Sequence, residues 1–329
     1  MNGTIARLVV GRLAVGVITL LIVSLVVFFL TSLLPGDAVQ EMLGQEATPE
    51  AVAALRAQLG LDQPVYLRYL YWLGGLLSGS PGVSMVNGMP VDQLIASRLP
   101  NTLSLAAITA LVSVPVALTI GIVSAMYRGS KFDRYSNMLT VFAVSVPEFL
   151  IATIAVLIFA VKLGWLSALS RSVDVHSFGE LVRVYAMPVL TLCCVLIAQM
   201  ARMTRAAVID QLSSPYVEMA VLKGARPMRV VLRHALPNAI GPIANAVALS
   251  LSYLLGGVVI VESIFNYPGI ATLIVNGVIT RDMPLVQACV MLFCLGFLVL
   301  VLLADLCAIL SNPRPVSYTH LTLPTILLV

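Results

Sequence analysis

The chain has 329 residues, 60% of them hydrophobic and only 10% charged, with a mean hydropathy of +1.01. Soluble domains carry about 25% charged residues, so this composition excludes a soluble globular enzyme, and several apolar runs reach the roughly 20 residues that cross a bilayer. The formal net charge of +4 matters by its placement between spans. No basic patch is interleaved with aromatics, and no nucleic-acid partner is expected.

Arg7 and Arg12 precede an apolar run from about Leu13 to Leu34. It is too long for a signal-peptide core and no small-x-small cleavage site follows, which predicts a first transmembrane helix with a cytoplasmic N-terminus. Pro35-Gly36-Asp37 ends it, and a mostly polar external segment continues to about Arg98. Within that segment Thr48-Pro49-Glu50 is a helix start and Gly60 a stop. Tyr66, Tyr69, Leu70, Leu73 and Leu77 predict a second, amphipathic helix at the membrane interface. The second span is predicted from about Asn101 to Ala125 across Pro115, the third from about Asn137 to Val161, and the fourth from Tyr185 to just before Arg202.

The next stretch, Tyr216 to Pro237, is the longest polar-tolerant break between apolar runs in the second half: YVEMAVLKGARPMRVVLRHALP. Ser214 is placed to cap a short helix with Pro215 in its first turn, where a missing N–H costs nothing. Gly224 suits a left-handed stop, and Pro227 suits the start of a second short helix running until Pro237. Val217, Ala220 and Val221 share one face of the first helix, while Glu218 and Lys223 point elsewhere. A short exposed helix with a small apolar face is a suitable plug for a partner's groove. The fifth span covers about Ala239 to Val261, Glu262 to Pro284 is an external re-entry segment, and the sixth span runs from about Leu285 to Leu310.

On this topology the inside segments hold Arg7, Arg12, Arg128, Lys131, Arg134, Arg202, Arg205, Lys223, Arg226, Arg229, Arg233 and Arg314. The longer outside segments hold Arg56, Arg68, Arg98, Lys162, Arg171, Arg183 and Arg281. The asymmetry favours both termini inside. The expected fold class is an all-α polytopic membrane protein with six transmembrane helices, both termini cytoplasmic and a large first external loop.

Glu218-Met219-Ala220, then Gly224, then Leu236-Pro237 resembles the EAA-loop motif of permease subunits of binding-protein-dependent ABC importers. Met219 stands where that motif has Ala, and His234 where it has Ile. RHALPNA, LLPGD, RYLYWLGGLLSG, RLPNTLSLA, RGSKFDR and VVIVESIFNYPG extend the resemblance, to the dipeptide/oligopeptide/nickel class, over nearly the whole chain up to about Arg314. The resemblance implies that Glu218, Met219 and Ala220 belong to an ATPase-coupling helix, Gly224 to its joint, and Leu236 and Pro237 to its hinge with the fifth span. It implies a homologous permease subunit, two cytoplasmic ABC ATPase subunits and an extracytoplasmic substrate-binding protein as partners, in a bacterial or archaeal cell membrane. No cofactor is implied on this chain, with ATP and Mg on the ATPase subunits. The transported solute would be a peptide or a similar small solute, nickel chelates included.

The residues themselves agree with a non-enzymatic chain. No G-x-x-x-x-G-K-[ST], HExxH or GxSxG occurs, and the five cysteines lie in apolar runs without a CxxC pair, which points to buried thiols rather than a disulfide or metal site. Three carboxylates fall within or beside spans: Glu148, Glu262 and Asp305. Intramembrane charges default to a functional hypothesis. Glu148, after Pro147, is a candidate for the translocation path or for a carboxyl satisfied by a neighbouring helix; Glu262 and Asp305 are expected at the interface. Such carboxylates also suit an ion-coupled secondary transporter, the alternative reading beside a non-transporting membrane scaffold. By organisation, residues 1–98 hold the first span and external loop, and residues 99–315 the permease core with its coupling loop at 205–238. Val316 to Thr325 reads VSYTHLTLPT, a translation of DNA resembling the reverse complement of a transposon-type sequencing adapter. Residues 316–329 are therefore expected to be a non-native tail.

Overall fold

The computed structural model describes residues 2–33, 43, 47–58, 60–170 and 177–311. The expectations for Pro35–Asp37, Arg171, Asp174, Arg314 and the 316–329 tail lie outside those residues. Among the described residues the fold is helical, with one isolated antiparallel bridge between Val83 and Pro90.

The first apolar run forms α1, Asn2–Ser32. Thr48 accepts from the Ala51 N–H at 3.2 Å and opens α2, Pro49–Gln58, and Gly60 follows at φ +66°. The amphipathic segment is α3, Val65–Leu77. Its apolar stripe meets α1: the Ser24 and Tyr69 hydroxyls lie 2.8 Å apart, and Phe28 stacks with Tyr69 and Trp72. α4 runs from Val91 to Met126, ten residues earlier than the expected span start, because Pro100 as well as Pro115 stays inside it. Neighbouring helices re-satisfy a backbone interrupted by proline in this way.

The third span is not one straight helix. α5, Lys131–Ser145, ends at Val146, which is extended (φ −90°, ψ 126°). The residue before a proline is pushed out of the helical region. α6, Glu148–Ala155, then leaves at 98° to α5 and continues as a π-helical turn, Val156–Lys162. α7, Phe178–Leu212, starts earlier and ends later than the expected fourth span, so Arg202 and Arg205 are helical.

The stretch from Tyr216 to Pro237 forms α8, Pro215–Leu222, and α9, Pro227–Arg229. A π-helical segment, Val230–Ala235, joins α9 to α10, Leu236–Phe265. The re-entry segment contains α11, Ile270–Ile279, and the last span is α12, Met283–Ser311. Among the described residues five helices are long and apolar enough to cross a membrane, or six where the bent α5–α6 pair counts as one span.

α4, α6, α7 and α10 surround the core, with Leu105, Ala152, Met187, Leu192, Met200, Leu254 and Val258 buried at their meeting. α1 lies at the periphery against α12, where the Gln287 amide donates to the Thr31 hydroxyl at 2.6 Å. Cys193 and Cys289 are buried as expected, but Cys307 is exposed.

Candidate functional site

The stretch from Ser214 to Pro237 is built from a corner. Ser214 occupies the N-cap position of α8 with Pro215 in the first turn, but its hydroxyl does not cap: it donates back to the Gln211 carbonyl of α7. Gly224 takes φ +79°, the conformation that other residues avoid, and lets Ala225 N–H reach the Ala220 carbonyl at 3.2 Å. Pro227 then starts α9.

The expected apolar face of α8 divides. Val217 is 1% exposed and packs on Val230 and Ala235, while Ala220 is half-buried and Val221 is exposed. Facing away from the protein, Met219 is 54% and Leu222 74% exposed, beside the exposed Glu218 and Lys223. One side of the helix anchors it; the other offers apolar groups and charge.

Pro237 does not end the second helix. The chain runs helically from Pro227 to Phe265. The reason is the π turn: Leu236 N–H bonds to the Val231 carbonyl, five residues back, so the helix widens just where the proline ring needs room. The Asn238 side-chain amide donates to the His234 carbonyl at 3.0 Å, one turn back.

Glu148 stands at the bend between α5 and α6, half-buried. A Cβ at Gly257 of α10 would stand 2.7 Å from its Oε2 and 3.1 Å from Leu192. The carboxylate therefore lies against a side-chain-free patch of α10. Leu192 is 14 residues into α7, about 20 Å from one end of that helix and about 30 Å from the other. Glu148 thus lies partway along the length of the bundle, half-buried and far from the α8–α9 corner. α10 itself exposes one continuous face with Asn238, Asn245, Tyr253, Gly256 and Ser263, at alternating spacings of seven, eight, three and seven residues. Those intervals return to the same side of a 3.6-residue helix.

The sequence places Glu262 and Asp305 near span ends, and Glu262 stands in the last turn of α10. Glu262 is 0% exposed. It accepts from the Thr102 hydroxyl at 2.7 Å and from the Ala271 and Thr272 N–H groups at 2.9 and 3.2 Å, so it caps α11 from α10. The Thr102 hydroxyl also accepts from Ile270 N–H at 2.8 Å. Around this knot Asn101 donates to the Pro268 carbonyl at 2.7 Å, and the Tyr267 hydroxyl donates to the Asn101 carbonyl at 2.9 Å. Asp305 pairs with Arg12 at 3.1 Å, joining α12 to α1. A further pair was not foreseen from the sequence: Arg205 binds Asp133 with both nitrogens, at 2.6 and 2.8 Å, tying α7 to the start of α5.

Similarity to known proteins gives this geometry a context. The family described as "Binding-protein-dependent transport system inner membrane component" matches residues 117–316, and its N-terminal companion matches residues 5–106. The glutathione transport system permease protein GsiC of Salmonella typhimurium is 38% identical over 295 residues, 90% of this chain and 94% of that protein. GsiC of Escherichia coli K12 is 37% identical over 305 residues, 93% of this chain and 97% of that protein. Among solved structures, the inward-facing MetNI methionine ABC transporter aligns with a TM-score of 0.56 at 16% identity. That alignment covers 67% of this chain and 97% of the MetNI chain, and it shows a shared fold. No observation favours a secondary transporter or a scaffold. The chain belongs to the inner-membrane components of binding-protein-dependent transport systems: it is a permease subunit of an ABC importer, whose ATP hydrolysis lies on separate subunits.

Proposed function

We propose that α8 is the coupling helix on which a cytoplasmic ABC ATPase docks, with Glu218, Met219 and Leu222 on its contact face and Ala220 at the edge. Gly224 is the joint, and Leu236 and Pro237 carry the passage into α10. One observation carries this reading: Val217 pins the inner side of α8 to Val230 and Ala235, while Met219 and Leu222 are held out into solvent. Apolar groups displayed this way mark a docking surface. Because helix is unbroken from Pro227 to Phe265, a push on the α8–α9 corner moves α10 with it.

The complete importer then has a homologous permease, two ATPase subunits on the cytoplasmic side and a binding protein outside, with both termini of this chain in the cytoplasm. ATP and Mg belong to the ATPases, and no cofactor to this chain. ATP binding closes the ATPases, the corner transmits the movement, and the spans alternate between inward and outward access. The face of α10 bearing Asn245 and Tyr253, together with Glu148, borders the path, since polar groups on an exposed face of a spanning helix are costly against lipid. The solute is a small peptide, glutathione-like tripeptides included, or a comparable chelate, in keeping with the substrate named for the GsiC relatives.

Capture of the ATPase subunits by the membrane-inserted chain tests the reading. Wild type retains them, and Glu218→Ala combined with Gly224→Val loses most of that binding while inserting normally. Equal capture by both forms overturns it.

A further inference from the structure

We propose that the Glu148 carboxylate is a recognition point for a positively charged nitrogen, so that this permease selects solutes carrying a free ammonium group. The inference rests on the peptide-importer reading above and adds the chemistry of selection.

The argument starts from how the other intramembrane and span-end carboxylates are treated. Glu262 accepts three hydrogen bonds, Asp305 pairs with Arg12 and Asp133 pairs with Arg205. Asp282, buried at the external turn before α12, accepts from the Ser84 hydroxyl and from Met85 N–H. Glu148 differs from all of them. Among the described residues it has neither a hydrogen-bond nor an ion-pair partner, although it lies half-buried against α10. A carboxylate within the membrane costs about 3 kcal/mol on insertion scales, so an unpaired one calls for a physical reason.

Its surroundings supply a binding geometry rather than a structural one. Glu148 opens α6, where the helix N-terminus favours negative charge without consuming the carboxylate oxygens as an arginine would. The oxygens face the bare backbone at Gly257, where any side chain would collide with them. Gly256, next in the chain, lies on the exposed polar face of α10 between Tyr253 and Ser263. A half-open carboxylate beside a glycine notch admits a compact cation such as an ammonium group. It repels anionic groups and gains no charge attraction from an acylated, neutral nitrogen, so selection works by an unfavourable charge as well as a favourable one.

The experiment uses the complete importer in proteoliposomes, with glutathione and its N-acetyl derivative as probes. The ratio of their ATP-driven uptake rates is read after dividing out the binding protein's own preference, measured by calorimetry. A charge-assisted hydrogen bond is worth enough that Glu148→Gln should lower this ratio about tenfold or more, and Glu148→Asp should restore part of it. Gly257→Ala keeps the charge but displaces the carboxylate, and is expected to lower the ratio likewise. It carries the test should Glu148→Gln fail to insert. An unchanged ratio in an inserted variant overturns the inference. So does a Glu148→Gln form that loses only its companion permease, because the carboxylate then pairs with that subunit. If the wild type moves neither probe, the peptide reading falls, and this inference with it.

Discussion

The two ends of α10 follow opposite plans. At the outer end Glu262 is fully buried and receives donors from α4 and from two successive N–H groups in the first turn of α11, and Tyr267 and Asn101 add a second layer of hydrogen bonds. At the inner end the corner of α8 and α9 is fixed by a few small apolar contacts and by one glycine in a left-handed conformation, with its outer surface bare. Where a re-entrant segment must keep its shape inside a membrane, every backbone donor needs a partner, since water is not there to supply one. Where a helix must meet another protein, an anchored inner side and a free outer side suffice.

The comparison breaks most visibly at Glu262. Glu262→Ala strands the Thr102 hydroxyl and two backbone N–H groups, and at about 1–3 kcal/mol for each buried unsatisfied group the loss is about 3 kcal/mol or more. Gly269→Ala should approach it, because a Cβ there would stand 1.9 Å from Glu262 Oε1. Unfolding in detergent measures both. Wild-type stability in the two variants would mean that the outer knot is not what holds α11.

Arg205→Ala comes next. It leaves Asp133, whose side chain is only 6% exposed, without its bidentate partner. Removing one half of a fully buried pair costs about 3–5 kcal/mol, and the partial exposure of Arg205 brings the expected loss to about 2 kcal/mol. Asp133→Asn in the same background should recover part of it in a double-mutant cycle. Additive losses would show that the two side chains act separately.

How far each end could be read from the sequence follows from the range of its interactions. The inner corner is local: Pro215, Gly224 and Pro227 each act through their own backbone, and the turn they predict is the one that forms. The outer knot is not local, since Glu262 and Thr102 are 160 residues apart and nothing in either neighbourhood announces the other. Proline gave mixed guidance. Pro100, Pro115, Pro188 and Pro242 stay inside helices, whereas Pro147 breaks one, with Val146 turning extended before it. The placement of Glu148 against Gly257 depended on that break, so the sequence could name the carboxylate but not its neighbour. Pro237 misled for a related reason: a π turn absorbs it, and hydrophobic spacing does not register a single widened turn.

Gly224 separates shape from bulk at the inner end. Nothing lies within 4 Å of where its Cβ would be, so the cost of substitution is one of backbone conformation alone. Valine at φ +79° should cost about 1–2 kcal/mol, whereas asparagine, which visits that region, should cost a few tenths. Gly224→Val is then expected to reduce ATPase capture several-fold and Gly224→Asn to keep it. The reverse order would move the importance of this position from conformation to surface contact.

The smallest effect is expected at Pro237, and it decides what gives the inner end its shape. In Pro237→Ala the new N–H finds helical carbonyls in the preceding turn, and the π turn is free to tighten. Against that gain stands the freedom that alanine returns to the unfolded chain, about 0.4–1 kcal/mol, so the net change in stability should stay below about 1 kcal/mol. If the helix from Pro227 to Phe265 transmits movement as one body, uptake should remain within about twofold of wild type, because the rod survives the substitution. A large loss of uptake with stability unchanged would instead place a working hinge in the widened turn. The inner end would then depend on a specific side chain after all, as the outer end does on Glu262.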